Sequence, residues 1–456
     1  MLNFFGTDGI RGRVGSGLFV QDQLVRLGHA IAQWAQKKYA AVPHIIIGQD
    51  TRISSDFVKA ALKTGLLQHA IKISDASVIP TPALAHIMKL QPDIDCALII
   101  SASHNPYHDN GIKIMDAKTG KLTVFDECAI SAMVSGYKEA ARGECSELAR
   151  NVSNHAAEQN EHSFGTDVPL TDIEDQYCTR ISSLFTASFL AGKRIVLDTA
   201  HGATYRVAPR IFEKLGAEVI TINNQPTGYN INEQCGALHT EHLTKTIIER
   251  NADIGFAFDG DGDRVMAVNK HGMIKDGDDI LALLLAHPRY STREQVVGTI
   301  MTNEGFAQHL KQLDKQLVRT PVGDKYIAEK LGEHSWLLGG EPSGHIIMHD
   351  VINTGDGILV ALRIAETLCL TGNWEMETFE HYPQAMINVP VASRKDLTTS
   401  PLSTIINAAQ EDLATGRILV RYSGTENVLR VMVEANSYEY AHRTCKQLAH
   451  ELSKAL

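Results

Sequence analysis

No apolar run in this chain of 456 residues exceeds the seven of ILALLLA at 280–286, whereas a helix that crosses a bilayer needs about 20. The opening MLNFFGTDGIRG has no basic stretch leading into an apolar core, so no secretory signal is expected. Cysteine is sparse and scattered: Cys96, Cys128, Cys145, Cys178, Cys235, Cys369 and Cys445 form no C-x-x-C pair, and their number is odd. Reduced thiols in a cytoplasmic protein follow as the expectation. Positive charge is also short, with 43 Lys and Arg against 53 Asp and Glu, a formal net charge of −10. That balance argues against nucleic acid and anionic membrane as partners. It leaves room for an anionic small substrate wherever Arg, Lys and His gather locally. A P-loop is absent, and no G-x-S-x-G surrounds Ser103, which stands in S-A-S-H-N. Nucleotide binding and nucleophile-elbow hydrolysis are therefore disfavoured.

What is present is alternation. At about 150 residues per domain the length suggests three or four domains, and 44% apolar content is ample for several cores. Leu24, Leu27, Ile31 and Trp34 mark one helix face, after which HIIIG, CALIIS, RIVLD, AEVITI, DIGFAF and VVGTIM read as strands between helical stretches. Such β–α alternation predicts an α/β fold with mixed or largely parallel sheets. The segment at 142–167 is nearly devoid of large apolar residues and reads as a linker. A second boundary falls near TGNWEMETF at 371–379. RILVR, VLRVMVEA and a helix from Tyr438 to Leu452 then suggest a small C-terminal α+β domain. The expected domains are 1–145, 165–252, 253–370 and 374–456. Three strands end in Asp- and Gly-bearing turns, IIIGQDTR, IVLDTAHGATY and GFAFDGDGDR, which is where open α/β sheets place their sites.

Five stretches could carry chemistry. In FAFDGDGDR, alternate residues of an extended segment point the same way, so Asp259, Asp261 and Asp263 can converge as hard oxygen donors for Mg²⁺. An EF-hand fails here, because Arg264 and Lys270 stand where that loop needs Gly and Glu. The competing view is a plain Asp/Gly turn. In SASHNPYHDNGIK, Ser103 and Asn105 could simply bond the backbone of a turn fixed by Pro106. His104 adjoins Ser103 without any guarantee of reaching its hydroxyl, and Lys113 could carry a proton if desolvated. In VRYSGTENVLR, Ser423, Gly424 and Thr425 offer hydroxyls and backbone N–H groups for a phosphate, flanked by Arg421 and Arg430; taken alone this could be only a turn. GGEPSGH offers Glu341 and Ser343 for sugar hydroxyls and His345 for a proton or a phosphate. In FGTDGIRG, Arg11 among glycines could face an anion.

Taken together and in this order, FGTDGIRG, SASHNP, DGDGDR, GEPSGH and RYSGTEN resemble the α-D-phosphohexomutases along nearly the whole chain. HGATY and NINEQCGA resemble the bacterial branch that acts on glucosamine phosphates. The resemblance implies three successive α/β domains and a small C-terminal α+β domain around a central cleft. It implies that glucosamine 6-phosphate and glucosamine 1-phosphate interconvert through a phosphoserine and a sugar 1,6-bisphosphate intermediate, feeding UDP-N-acetylglucosamine synthesis. Ser103 would be the phosphorylated serine, and Asp259, Asp261 and Asp263 would hold Mg²⁺ with an oxygen of its phosphate. Arg264 would contact the phosphoserine or the substrate, while Glu341 and Ser343 would hold sugar hydroxyls. Arg421, Ser423, Gly424 and Thr425 would hold the phosphate that is not transferred, and Lys113 and His345 match positions proposed for proton transfer. His104 would shape the site or contact phosphate. A monomer or homodimer is expected, with a phosphorylated hexosamine as its partner.

Pro342 stands where this branch usually has Gln, Asn427 where the phosphate loop usually has Pro, and the linker after Arg142 is longer than usual. Rival readings are a phosphomannomutase/phosphoglucomutase, a sugar-phosphate phosphatase and a non-catalytic sensor. A hydrolase needs only one phosphate cradle, and this sequence offers two. A last domain hinged near 371–373 could close over the substrate.

Overall fold

The computed structural model describes residues 4–6, 8–39, 42–135, 164–423 and 427–456. Most of the expected linker, Cys145, Gly424 and Thr425 lie outside them. The described residues fall into two compact units, one of Met1–Thr292 with Gly323–Glu377 and one of Arg293–Val322 with Thr378–Leu456.

In the first unit, HIIIG, CALIIS, RIVLD and DIGFAF are buried on both faces, the pattern of strands inside α/β layers, while the edge strand in AEVITI is half-buried. A six-stranded sheet takes the order Ile10–Arg13, Asp109–Asp116, Cys96–Ile100, His44–Gln49, Lys72–Val78, Thr166–Asp167. His44–Gln49 runs parallel to both of its neighbours. Asp109–Asp116 is antiparallel to Cys96–Ile100, so the chain turns back between them through residues 101–108. The helices Gln21–Lys38 and Ser55–Leu66 pack closely enough that a Cβ on Gly28 would lie 2.2 Å from Leu62 O and one on Gly65 2.0 Å from Val25 O. Any side chain there would prise the pair apart.

A second sheet takes the order Ile274–Lys275, Val265–Asn269, Ile254–Phe258, Arg194–Asp198, Glu218–Ile222. The expected division at 252/253 falls inside it: Ile254–Phe258 pairs in parallel with Arg194–Asp198, so the hairpin that carries Asp259–Arg264 belongs with the second α/β domain. Periodicity identifies a strand but not its hydrogen-bonded neighbour. The first unit also holds the antiparallel pair Leu338–Gly340 with Ile346–Met348 and the largely buried helix Gly357–Thr371. That helix starts at Asp356, whose carboxylate accepts the Leu359 N–H, and stops at Gly372 with φ 74°.

The second unit contains the parallel pair Gln295–Thr299 and Gln316–Thr320. Its antiparallel sheet has the order Gln384–Pro390, Val428–Glu434, Arg417–Tyr422 and is covered by the helix Tyr438–Ala455. Leu429, Val431 and Val433 of the central strand pack with Ala441, Cys445 and Leu448 in a core of this unit's own. Arg417 donates to Ile300 O and Thr302 O, both at 2.7 Å, and to Glu434 Oε2 at 2.6 Å, tying the two parts of the unit together. The chain thus carries three α/β domains and a small C-terminal domain, as expected. No helix among the described residues is long and apolar enough to cross a membrane.

Candidate active site

Ser103 lies in the loop that returns Cys96–Ile100 to Asp109–Asp116, is 1% exposed and has φ 53°, the left-handed region. Its Oγ donates to Asp259 Oδ2 at 2.6 Å across 156 residues of sequence. A self-contained turn does not describe this hydroxyl. His104 does reach Ser103, with Nδ1 3.3 Å from Oγ. Burial, with Arg264 and Arg11 nearby, lowers the His104 pKa to about 4, so the ring is neutral at pH 7.

Asp259, Asp261 and Asp263 are each buried, and one carboxylate oxygen from each lies within 4.8 Å of the others. Strand alternation is not what gathers them. Residues 259–264 form a turn, closed by Gly262 N–H to Asp259 O at 3.1 Å, with Gly262 at φ 73°. A Cβ on Gly260 would stand 2.6 Å from Ser103 O, so glycine is required for the acidic loop and the serine loop to touch. Burial and then the neighbouring Asp263 and Asp261 push the Asp259 carboxyl well above the usual range. Asp263 is held far below it, because Lys113, His345 and Arg264 outweigh burial. The buried Oδ1 atoms of Asp261 and Asp263 have no hydrogen-bond partner. Three converging oxygen donors with two orphaned lone-pair sites fit a hard divalent cation.

Lys113 lies across this cluster, its Nζ 2.9 Å from Asp261, 2.8 Å from Asp263 and 2.9 Å from Asp8. Burial opposes its charge, yet the three carboxylates raise its pKa well above the ordinary value. It is a desolvated ammonium whose proton the three carboxylates hold more tightly than water would. His345 is buried, with Nδ1 3.7 Å from Asp263 and Nε2 3.4 Å from Asp324, and Nε2 accepts the Gly355 N–H at 3.1 Å. Burial works against its charging, but Asp263 and Asp324 raise the pKa overall. The backbone N–H of Arg264 donates to Asp259 at 3.2 Å, and its buried Nε, 3.8 Å from Asp263, has no hydrogen-bond partner. Glu341 accepts the Gly323 N–H at 3.0 Å and a longer contact from Ser343 Oγ at 3.4 Å.

Several contributors escaped the sequence reading. Asp8 pairs with Arg11 at 3.0 Å and faces Lys121 at 3.6 Å, and Lys121 in turn pairs with Asp324. Asp263, Lys113, Asp8, Lys121 and Asp324 therefore form a run of alternating charge, and His345 lies between its two ends. Thr81 Oγ1 donates to Asp261 Oδ2 at 2.7 Å. Asp8 was within reach, since it stands in the quoted FGTDGIRG; Thr81, Lys121 and Asp324 sit in stretches with no composition signal.

In the second unit, Arg421 and Arg430 are directly opposite on paired antiparallel strands, so both guanidinium groups rise from one face. Burial, and then Arg430, lowers the Arg421 pKa from its ordinary value, as expected where a second cation crowds it. Ser423 is buried, its carbonyl accepting Arg394 Nη2 at 2.6 Å. Asn427 O accepts the Val391 N–H at 3.0 Å. Arg394 was another residue that sequence reading did not single out.

A serine loop docked on an acidic loop, between the ends of α/β strands, is the architecture of the phosphohexomutases. Models of the phosphoglucomutase/phosphomannomutase alpha/beta/alpha domains I, II and III match residues 2–141, 175–272 and 276–385, and the model of the C-terminal domain matches 386–451. The phosphoglucosamine mutase of Teredinibacter turnerae is 38% identical, covering 99% of this chain and 98% of that one. That of Methylobacillus flagellatus is 39% identical, covering 98% and 97%. The chain belongs to the phosphoglucomutase/phosphomannomutase family. Among solved structures, a family protein of Burkholderia thailandensis shares the fold at a TM-score of 0.79 and 21% identity, covering 98% and 97%. The Aspergillus fumigatus N-acetylphosphoglucosamine mutase, in complex with GlcNAc-6P and magnesium, does so at 0.64 and 16%, covering 100% and 96%.

Proposed function

We propose that the chain is a phosphohexomutase, an isomerase, that interconverts glucosamine 6-phosphate and glucosamine 1-phosphate. The observation that carries the reading is the Ser103 hydroxyl held 2.6 Å from Asp259 within the three-carboxylate cluster. Full-length relatives named phosphoglucosamine mutase support the choice of sugar. The cytoplasm, where free thiols persist, suits the free cysteines among the described residues.

Asp259, Asp261 and Asp263 would hold Mg²⁺, which when bound neutralises charge on the phosphoryl group in transfer. In the first half of the reaction the bond from phosphorus to Ser103 Oγ breaks and one to sugar O1 forms. The O1 proton leaves to a base, and Ser103 Oγ takes up a proton. The 1,6-bisphosphate then turns over, and the same exchange at O6 returns a phosphoryl group to Ser103, so nothing is lost to water. Lys113 and His345, both beside Asp263, are the two proton carriers. Arg264 contacts the phosphoryl oxygens, Glu341 and Ser343 hold sugar hydroxyls, and Arg11 and His104 line the serine's surroundings. Arg421, Ser423, Gly424, Thr425 and Arg430 bind the phosphate that stays in place. A single fixed donor and a separate clamp are what moving phosphate between two ends of one sugar requires.

The test is product identity and specificity. Purified protein with Mg²⁺ and a catalytic amount of sugar 1,6-bisphosphate should convert glucosamine 6-phosphate to the 1-phosphate with little inorganic phosphate. Its kcat/KM should be higher on glucosamine phosphates than on glucose or mannose phosphates. Steady release of inorganic phosphate without 1-phosphate would contradict the mutase, and a preference for mannose phosphates would contradict the choice of sugar.

A further inference from the structure

Of the three Asp-bearing turns at strand ends, DGDGDR supplies the carboxylate cluster, and GQDTR at 48–52 is left without a role. Its Arg52 is fully buried and uses all five of its N–H donors. Nε donates to Asp50 Oδ2 at 2.8 Å; Nη2 donates to Ser103 O at 3.0 Å and Asn105 O at 2.7 Å; Nη1 donates to Asp109 O at 3.1 Å and to Pro106 O. Three carbonyls of the serine loop and that of Asp109, where the next strand begins, thus converge on one guanidinium. Asp50 holds the loop a second way, accepting from Ser101 Oγ at 2.6 Å, while Ser101 Oγ accepts the Ser103 N–H at 2.9 Å. From the second α/β domain, Asn232 Nδ2 donates to the same two carbonyls, Ser103 O at 2.9 Å and Asn105 O at 3.2 Å.

We infer that Arg52, backed by Asp50 and joined by Asn232, is the positioning residue that holds Ser103 against the carboxylate cluster; the inference rests on the phosphohexomutase reading above. The left-handed φ of Ser103 is a conformation a serine does not keep unless its surroundings over-determine it. Arg52 supplies that constraint through the backbone, touching neither the hydroxyl nor the carboxylates. The geometry explains why arginine is needed. A planar fork can reach four carbonyls and a carboxylate at once, while a lysine offers three donors from a single point. The strand His44–Gln49 is the parallel neighbour of Cys96–Ile100, so the turn after one strand lies beside the loop after the other.

The test compares wild type, Arg52→Lys and Asn232→Gly, the last removing a side chain at a residue whose φ of 59° glycine tolerates. Each protein is incubated with glucose 1,6-bisphosphate, phosphate uptake on Ser103 is timed by peptide mass spectrometry, and kcat and KM are measured well below the melting temperature. Arg52→Lys should lower kcat and the uptake rate by about 100-fold with KM within about threefold, the cost of a misplaced reacting atom. Asn232→Gly should slow uptake by about tenfold, and decides the matter if Arg52→Lys does not fold. A merely structural arginine would lower the melting temperature and leave uptake and kcat unchanged in the folded variants, which would overturn the inference. A wild type that takes up no phosphate overturns this inference and the mutase reading together. A wild type that does, matched by both variants, overturns the positioning role alone.

Discussion

His104 touches the serine hydroxyl, yet its pKa of about 4 makes it a poor proton carrier at neutral pH. The sign of its effect on stability follows. Folding lowers the pKa from the ordinary 6.5, so the unfolded chain binds more protons between those values. This contribution to stability is present above about pH 6.5 and is lost as pH falls toward 4. In metal-free, unphosphorylated protein, urea midpoints from pH 7 to 4 should fall less steeply in His104→Asn than in wild type, and the wild-type imidazole should titrate by NMR near 4. Lys113 gives a second residue-scale prediction. Lys113→Met leaves Asp8, Asp261 and Asp263 without their shared cation and should cost about 3 kcal/mol in urea denaturation. Mg²⁺ should recover part of that loss, because it compensates the same carboxylates. The serine and the three aspartates were legible in the sequence because their residue types name their chemistry. Arg52, Asn232, Lys121 and Asp324 were not, because each acts through partners tens to hundreds of residues away.

At the scale of elements, the site depends on loops pressed together where strands and helices begin or end. The helix Gly277–Leu285 starts against the loop of Glu341–His345: the Gly277 N–H donates to Pro342 O at 3.0 Å, and a Cβ there would fall 1.8 Å from Glu341 O. Gly277→Ala should therefore displace Glu341, raising KM for the sugar phosphate about tenfold and lowering the melting temperature by several degrees; steady-state kinetics and thermal melts check it. The helix Gly357–Thr371 starts at Asp356, which also binds His86 Nε2 and Tyr177 OH, each at 3.1 Å, in the interior. Tyr177→Phe should cost about 1 kcal/mol, the value of one such bond, read as a lower urea midpoint. Strands and helices were legible as apolar runs and periodicities. Strand pairing was not, which is why the expected boundary at 252/253 cut a sheet, and the Asp259–Asp263 turn was taken for an extended segment because its glycines carry no periodicity.

At the scale of the molecule, the acidic chain concentrates its cations locally: Arg264 and Lys113 at the serine loop in one unit, Arg421 and Arg430 in the other. Each unit has apolar clusters of its own, including those around Leu24 and Ile45 and around Val431 and Leu448. Calorimetry should accordingly show a transition broader than one cooperative step, with the calorimetric enthalpy above the van't Hoff value. The order of five motifs made the four-domain plan legible. The division of the third segment between units was not, because it depends on packing density rather than on any local signal.

The central claim is that Ser103 carries a phosphoryl group between turnovers. Peptide mass spectrometry of the purified protein, before and after incubation with a sugar 1,6-bisphosphate and Mg²⁺, tests it directly. The account predicts one phosphoryl group on the peptide that holds Ser103, lost on incubation with excess sugar monophosphate and absent from Ser103→Ala. A Ser103 that stays unmodified in a protein that nonetheless turns over glucosamine 6-phosphate would contradict it.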